Sequence, residues 1–426
     1  MKQKRILLIP GYKIFPVKTG GAYYQLVYLE KQMHDFEINI ILTPENIHPD
    51  DIALFRQRFY LVKPILVGFA KKTIKEKFNR LVYKLFLRRF EKGDLSKFRK
   101  MPKVNEITIR DRKLIQQIEK ISKASFFDII QVEHSKNISL IDILPDASLK
   151  IFIEHEVFFE RAAKDLQYQQ FDKSSVQHIE SVIRQLEISF LNKYDGIITL
   201  TEKDKHTLTN AGVSKPVWHS RYIALDKSDL QNIYQSGSSN RLLFLGNEEH
   251  FPNKDGLDWF LTKIFPMVVK ENPAANLIVT GEWTNDFTIK FKNLPVQFPG
   301  FVDDLHEFLS SAILIVPIRI GGGIRIKILS AMVKGLPIVS TSVGAHGIPY
   351  LQSGNNIFIE DGAIQFANRV NQLLQSPALR NKLSENIFAT AKRIAEVGNF
   401  VKERNSIYAA CEAAKFAPNE TPLYNN

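Results

Sequence analysis

Three consecutive glycines, Gly321, Gly322 and Gly323, separate the apolar run Ala312–Val316 from the segment IRIKILSAMVK, Ile324–Lys334, whose apolar residues recur at helical spacing. Pro317 follows the apolar run, Gly335 follows the segment, and Pro337 opens the next apolar stretch. A glycine run at the start of a helix lets a ligand approach the backbone closely. The free N–H groups and the positive end of the dipole there favour phosphate. Arg325 and Lys327 place two cations in the predicted first turn, where positive charge opposes the dipole unless an anion is present. On helical spacing Gly323, Lys327, Ser330 and Lys334 share one face. A tight strand-to-helix turn with two surface cations would use the same glycines; the cations and the periodicity favour a phosphate-binding turn.

The surrounding sequence supplies elements that could hold such a turn. Strands are predicted at Arg5–Ile9, Glu37–Leu42, Tyr60–Val62, Asp128–Val132, Lys150–Ile153 and Gly196–Thr199. Helices are predicted at Ala22–Met33, Asp111–Lys123 and Val176–Leu191. Alternation of this kind predicts a parallel α/β sheet. The pattern pauses over residues 226–240, where QSGSSN has the composition of a linker. It restarts with strands Arg241–Leu245, Leu277–Thr280, Ile313–Val316, Pro337–Ser340 and Asn356–Ile359. A helix is predicted at Gly256–Val269, with Asn253 or Asp255 available as its cap, and residues 363–400 are predicted largely helical. In open sheets of this class ligands bind outside the carboxyl ends of the strands.

The 426 residues suit two cores better than one. A single cysteine, Cys411, leaves no intrachain disulfide and no multi-cysteine metal site. The histidines are scattered, and no set at metal-ligand spacing is visible. The apolar run Ile6–Ile9 stops at Pro10-Gly11, so no secretory leader is predicted. No stretch has the roughly 18 apolar residues that span a bilayer. The expectation is a cytoplasmic protein. Its net charge is +12, and residues 71–100 alone carry twelve Lys and Arg against Glu76, Glu91 and Asp94. That concentration predicts a local anionic partner.

Four blocks occur in order: FLGNEEHFPNKDGLDWFL at Phe244–Leu261, LIVTGEW at Leu277–Trp283, FPGFVDDLHEFLSSA at Phe298–Ala312, and GGGIRIKILSAMVKGLPIVSTSVGAHGI at Gly321–Ile348. With them, residues 242–349 resemble the donor-binding domain of glycosyltransferase family 4, retaining enzymes of GT-B fold. The amino half matches more loosely, through Gly20-Gly21, IEHE at Ile153–Glu156 and DGIITLTEKDK at Asp195–Lys205. The resemblance implies two Rossmann-like domains facing each other across a cleft that holds a nucleotide-diphosphate sugar. Gly322, Gly323 and Ile324 would hold the diphosphate with Arg325 and Lys327, and Gly20 and Gly21 would approach it from the other domain. Gly246 and Gly281 end strands that border the same site. The family's basic residues after the domain's first strand fall near Asn247 and Lys254, so the expected arginine is not matched by an arginine. Val302 would lie beside the base. His155 would be the catalytic residue meeting the transferred sugar, with Glu156 on the acceptor side. Transfer would proceed on one face of the sugar, a donor phosphate oxygen helping to deprotonate the acceptor. No bound metal or other cofactor is implied. Ser330 stands where the family carries a ribose-binding Glu, and Gly322 where a second Glu is frequent.

Residues 71–90, KKTIKEKFNRLVYKLFLRRF, place Ile74, Phe78, Leu81, Val82, Leu85 and Phe86 on one stripe. A helix over about 71–91 would present Lys71, Lys72, Lys75, Arg88 and Arg89 to an anionic membrane surface; a core-packed helix with a solvated basic face would show the same pattern. No nucleic-acid motif accompanies the charge. The expected organisation is an acceptor-side domain over 1–225, a linker over 226–240, a donor domain over 241–400, a helix over 401–415 packing back on the first domain, and a disordered tail over 416–426. The expected function is a retaining, metal-independent hexosyltransferase using a glycan or lipid-linked acceptor in cell-surface polysaccharide or glycolipid synthesis, peripheral on the inner face of the membrane. A catalytically silent GT-B homologue acting as a membrane-associated scaffold is the alternative, and a nucleotide-sugar epimerase a third possibility.

Overall fold

The computed structural model describes residues 3–15, 20–69, 111–220, 225, 230–235, 240–302, 306–321, 324–397 and 400–417. Gly322, Gly323, the basic segment with Lys71, Lys72, Lys75, Arg88 and Arg89, most of the 226–240 stretch and the end of the tail lie outside them. The chain divides into two compact units, one of Met1–Ser220 with Val401–Asn426, the other of Arg221–Phe400.

In the first unit, strands β1 (Arg5–Ile9), β2 (Glu37–Leu42), β3 (Lys63–Leu66), β4 (Ile129–Glu133), β5 (Leu149–Glu154), β6 (Gly196–Thr199) and β7 (Val217–His219) alternate with helices α1 (Gly20–Gln32), α2 (Ile52–Arg58), α3 (Arg112–Ala124), α4 (Phe158–Tyr168), α5 (Lys173–Leu191) and α6 (Glu202–Asn210). The sheet order is β3-β2-β1-β4-β5-β6-β7, and every pairing is parallel. Parallel strands need crossover helices, which cover both faces and make the strands apolar throughout. Residues Ile6, Leu7, Leu8, Ile151, Phe152 and Ile153 accordingly have no exposed surface. Each such side chain contributes roughly 2 kcal/mol by burial. The predicted strand at Tyr60–Val62 falls instead at Lys63–Leu66, paired with β2. Residues 59–62 form the turn that ends α2, with Phe59 N–H on Phe55 O and Val62 N–H on Phe59 O.

In the second unit the strands are β8 (Arg241–Leu245), β9 (Asn276–Thr280), β10 (Val296–Gly300), β11 (Ile313–Val316), β12 (Ile338–Ser340) and β13 (Phe358–Ile359). The helices are α7 (Phe251–Trp259), α8 (Phe265–Glu271), α9 (Asn285–Ile289), α10 (His306–Leu309), α11 (Ile326–Met332), α12 (Ser342–Ala345), α13 (Ala363–Gln375) and α14 (Pro377–Val397). The order β10-β9-β8-β11-β12-β13 is again wholly parallel. Residues 231–235 are docked on this unit rather than free: Gln231, Ile233 and Gln235 donate their N–H groups to Val333, Lys334 and Ser310. A last helix, α15 (Phe400–Phe416), lies in the first unit from Val401 on.

Both sheets have the same kind of switch point. The chain leaves β1 for β2 and β3 on one side and returns as β4 on the other; β8, β9 and β10 are followed by β11 in the same way. The crevice between the carboxyl ends of the two central strands is where ligands of such sheets sit. In the first unit Tyr12 and His134 follow those strands, and in the second Gly246 and Arg319 do.

Candidate functional site

The second unit builds its switch point from two glycines and a helix. Gly246 ends β8 and Gly281 ends β9, with φ of 154° and 104°. A Cβ on Gly281 would lie 2.4 Å from Asn247 Oδ1 and 2.5 Å from Gly246 O. Only glycine allows the two strand-end loops to touch there. Asn247 Oδ1 accepts the Glu282 N–H at 3.1 Å, and Trp283 Nε1 donates to Gly246 O at 2.9 Å.

Asn253 and Asp255 do not cap the helix as expected. The helix starts earlier, at Phe251 with His250 as N-cap, so both residues fall inside it and are buried. Their side chains do other work. Asn253 Nδ2 donates to Asn247 O at 3.1 Å, and its Oδ1 accepts from Lys327 Nζ at 2.9 Å. Asp255 takes a bidentate pair from Arg319, with Nε at 3.0 Å and Nη2 at 2.6 Å, while that guanidinium lies 5.0 Å from the Trp259 ring centroid. The loop after β11 is thus fastened to α7 just before the glycine run.

Helix α11 is shorter than the sequence predicts, running Ile326–Met332 with Arg325 at its N-cap position. Arg325 Nη2 donates to Ile320 O at 3.3 Å. Lys327 is turned inward beneath the loop, its Nζ 4.6 Å from the Phe244 ring centroid. Burial, reinforced by the Arg325 charge, brings its ammonium down to about 7. The shared face of this helix is therefore divided: Lys327 points to α7, Ser330 is exposed, and Lys334 donates to Gln231 at 2.9 Å. Lys254 is drawn aside by Glu248, Nζ to Oε1 at 2.6 Å. Burial opposes ionisation of Glu248, but Lys254 and Thr284 outweigh it and bring that carboxyl down to about 2. Ile324 and Val302 are half-buried, Val302 following exposed Phe301.

At the first unit's switch point four rings meet. The Tyr12 ring stands edge-on to His134 and His155, with centroids 4.9 Å apart in each case. Tyr24 from α1 stands edge-on to His155, also at 4.9 Å. Gly21 makes room for this group, because a Cβ there would lie 2.2 Å from Tyr12 Cε2. Gly20 opens the same helix. His155 directly follows β5 and is 6% exposed. Its Nε2 has no hydrogen-bond partner and stands 3.5 Å from Oε2 of the fully buried Glu133. Glu156 is held by Arg161 at 2.7 Å. Glu187 from α5 caps α4 from outside, accepting the N–H groups of Phe158 and Phe159 at 2.9 Å each. Burial, only partly offset by those bonds, raises its carboxyl to about 7, and burial beside Glu187 pushes Glu154 well above the usual carboxylate range.

Tyr12, Tyr24, Glu133 and Arg319 are absent from the sequence-based candidates. One signal was present: Gln131 and Glu133, two residues apart in an otherwise apolar strand, must share a face of a covered sheet. Among the described residues no group of three His, Cys, Asp or Glu side chains is placed to hold a metal ion, and no helix is long and apolar enough to cross a membrane.

Comparison with known proteins adds to this geometry. Residues 239–376 match the family model of glycosyl transferases group 1. An uncharacterized 44.6 kDa protein in the cps region of Klebsiella pneumoniae is 28% identical over 192 residues, which is 41% of this chain and 47% of that protein. The match thus spans about half the length of that relative. Among solved structures, TarM is similar with a TM-score of 0.65 and 12% identity, covering 96% of this chain and 99% of its own. HepE of Anabaena, solved with UDP and glucose, gives a TM-score of 0.60 at 13% identity, with 96% and 100% covered. These likenesses establish the GT-B fold.

Proposed function

We propose, from the premise that residues 239–376 match glycosyl transferases group 1, that this chain is a retaining glycosyltransferase of family 4 type. It takes a nucleotide-diphosphate sugar and passes the sugar to a glycan or lipid-linked acceptor. The observation that carries the reading is Lys327, a half-buried lysine whose Nζ is hydrogen-bonded to Asn253 of α7, the helix after β8, inside the matched segment. An ammonium partly withdrawn from water and poised near neutrality is stabilised when an anion binds beside it. A donor diphosphate is such an anion, and it is where negative charge develops as the sugar leaves. Arg325 adds charge beside it, and hydrogen bonds with Lys and Arg can neutralise the diphosphate without a metal. His155, at the carboxyl end of β5, is the residue proposed to meet the sugar. A polysaccharide product is supported by the cps-region relative, and a uridine nucleotide by HepE. The segment 71–100 is proposed to hold the protein on the anionic inner face of a membrane, near a lipid-linked acceptor.

Isothermal titration of the full chain with UDP-, GDP- and ADP-sugars tests this. One member of the panel binds, and Lys327→Met weakens it by at least about tenfold, the scale of one charge-assisted contact. Absence of binding by all of them contradicts the reading. It would favour the silent scaffold, which Ser330, exposed where the family carries a ribose-binding carboxylate, keeps as the second reading.

A further inference from the structure

The first unit contains a buried polar network that the reading above leaves unused. Helix α15 supplies two of its members, Arg404 and Tyr408, which are 0% and 3% exposed. Arg404 Nη2 donates to the Tyr24 hydroxyl at 2.9 Å, and the Tyr24 ring stands edge-on to His155. That is one thread from α15 to the imidazole. The second starts at Tyr408, whose hydroxyl donates to Gln131 Oε1 and lies 3.0 Å from the Tyr28 hydroxyl. Accepting that proton fixes the Gln131 amide, so its NH₂ faces the other way. Gln131 Nε2 then donates to Glu133 Oε1 at 2.7 Å, while Gln25 Nε2 donates to Oε2 at 2.6 Å. The carboxylate is oriented by two neutral amides, and Oε2 is left 3.5 Å from His155 Nε2.

We propose that Glu133 is a positioning residue for His155, and that α15 sets its geometry through Tyr408–Gln131 while bracing the ring through Arg404–Tyr24. This rests on the reading of His155 as the residue that meets the sugar. The threads join residues 380 and 277 positions apart in sequence, and each leads to the same imidazole. A covered sheet gains nothing from Gln131, Glu133 and Arg404 as packing; well-packed apolar residues would serve at least as well. What a network of this kind provides is a constrained arrangement, here with Glu133 held by two amide donors. Nε2 is the ring nitrogen nearer the carboxylate, and a proton held there would leave Nδ1 for other contacts, because a second partner settles the tautomer of an imidazole. The Tyr12 and Tyr24 hydroxyls, pushed well up by burial, stay neutral beside His155.

The test uses the full chain labelled with ¹⁵N-histidine. Imidazole N–H protons exchange with water too fast to be seen unless they are buried on an acceptor. The expected result is one protected, downfield imidazole proton that His155→Ala removes, Glu133→Gln abolishes, and Tyr408→Phe shifts. In the UDP-glucose turnover assay the same two variants lower kcat by up to roughly hundredfold, the cost of a small misplacement of a reacting group, with KM unchanged. The proposal is overturned if the wild type shows no such proton, if both variants leave it unmoved, or if the proton is lost while kcat is kept. Tyr408→Phe retains the ring and decides the matter should Glu133→Gln fail to fold. If UDP-glucose is not consumed by the wild type, the transferase reading fails for that donor, and the proton alone decides the positioning claim.

Discussion

At the scale of single residues the account turns on Lys327. Its ammonium is brought down to about 7 by burial and then by Arg325. An anion that restores the proton must bind more weakly as the pH rises above that value. UDP-glucose has no phosphate titrating there, so its affinity should be level below about pH 7. Above it, the affinity should fall by up to about tenfold per unit. Lys327→Arg keeps its charge and should flatten the profile; calorimetry at several pH values reads both, and a level wild-type profile would contradict the assignment. The stability sign is separate. A lysine lowered from 10.5 contributes stability fully above that value and loses it as the pH falls towards about 7. Asp255 gives a second prediction. Asp255→Asn breaks its bidentate pair with Arg319 and should cost about 1–2 kcal/mol, discounted because the arginine is 42% exposed. The urea midpoint should drop accordingly, and an unchanged midpoint would refute it. Which residues sequence could reveal follows from range. Gly246, Gly281, Arg325 and Lys327 announce themselves by spacing along the chain. The Tyr12–His155 contact and the Arg404–Tyr24 bond join distant segments, and no local periodicity encodes them.

At the scale of elements, apolar runs found most strands, and differences arose where local chemistry interrupts a pattern. Residues 363–400 read as largely helical, yet α13 and α14 separate at Ser376-Pro377, because proline starts a helix well and continues one badly. Strand β10 escaped notice because it contains Pro299. The sheet tolerates that proline at an edge with a register shift between Gln297 and Gly300. The cap of α4 was illegible for another reason: it comes from Glu187 in a different helix. That cap carries a pH signature. Its carboxyl is raised from 4.5 to about 7, with burial as the main cause. A raised carboxyl favours the folded chain fully below about 4.5, and that contribution is lost as the pH rises to about 7. Chemical denaturation should therefore show stability falling across that window, and Glu187→Gln should reduce the slope, the raised Glu154 beside it contributing the rest. A slope unchanged in the variant would place its origin elsewhere.

At the scale of the molecule the alternation of strands and helices foretold two parallel sheets, while the strand orders that create the two switch points are not encoded in that alternation. The glycine run that first pointed to phosphate lies largely outside the described residues, and so does the basic segment. That segment carries a whole-molecule prediction. The chain should float with vesicles containing anionic phosphatidylglycerol and stay behind with neutral phosphatidylcholine. Reversing the charges of Lys71, Lys72, Lys75, Arg88 and Arg89 should abolish the difference, which should also shrink with added salt. Equal flotation on both vesicles would remove the membrane proposal without touching the transferase. The most direct test of the transferase is a crystal structure of the chain soaked with UDP-glucose. The account predicts the diphosphate at the carboxyl ends of β8 and β11, with an oxygen within hydrogen-bond reach of Lys327 Nζ. A nucleotide bound elsewhere, with Lys327 still turned only to Asn253, would contradict it.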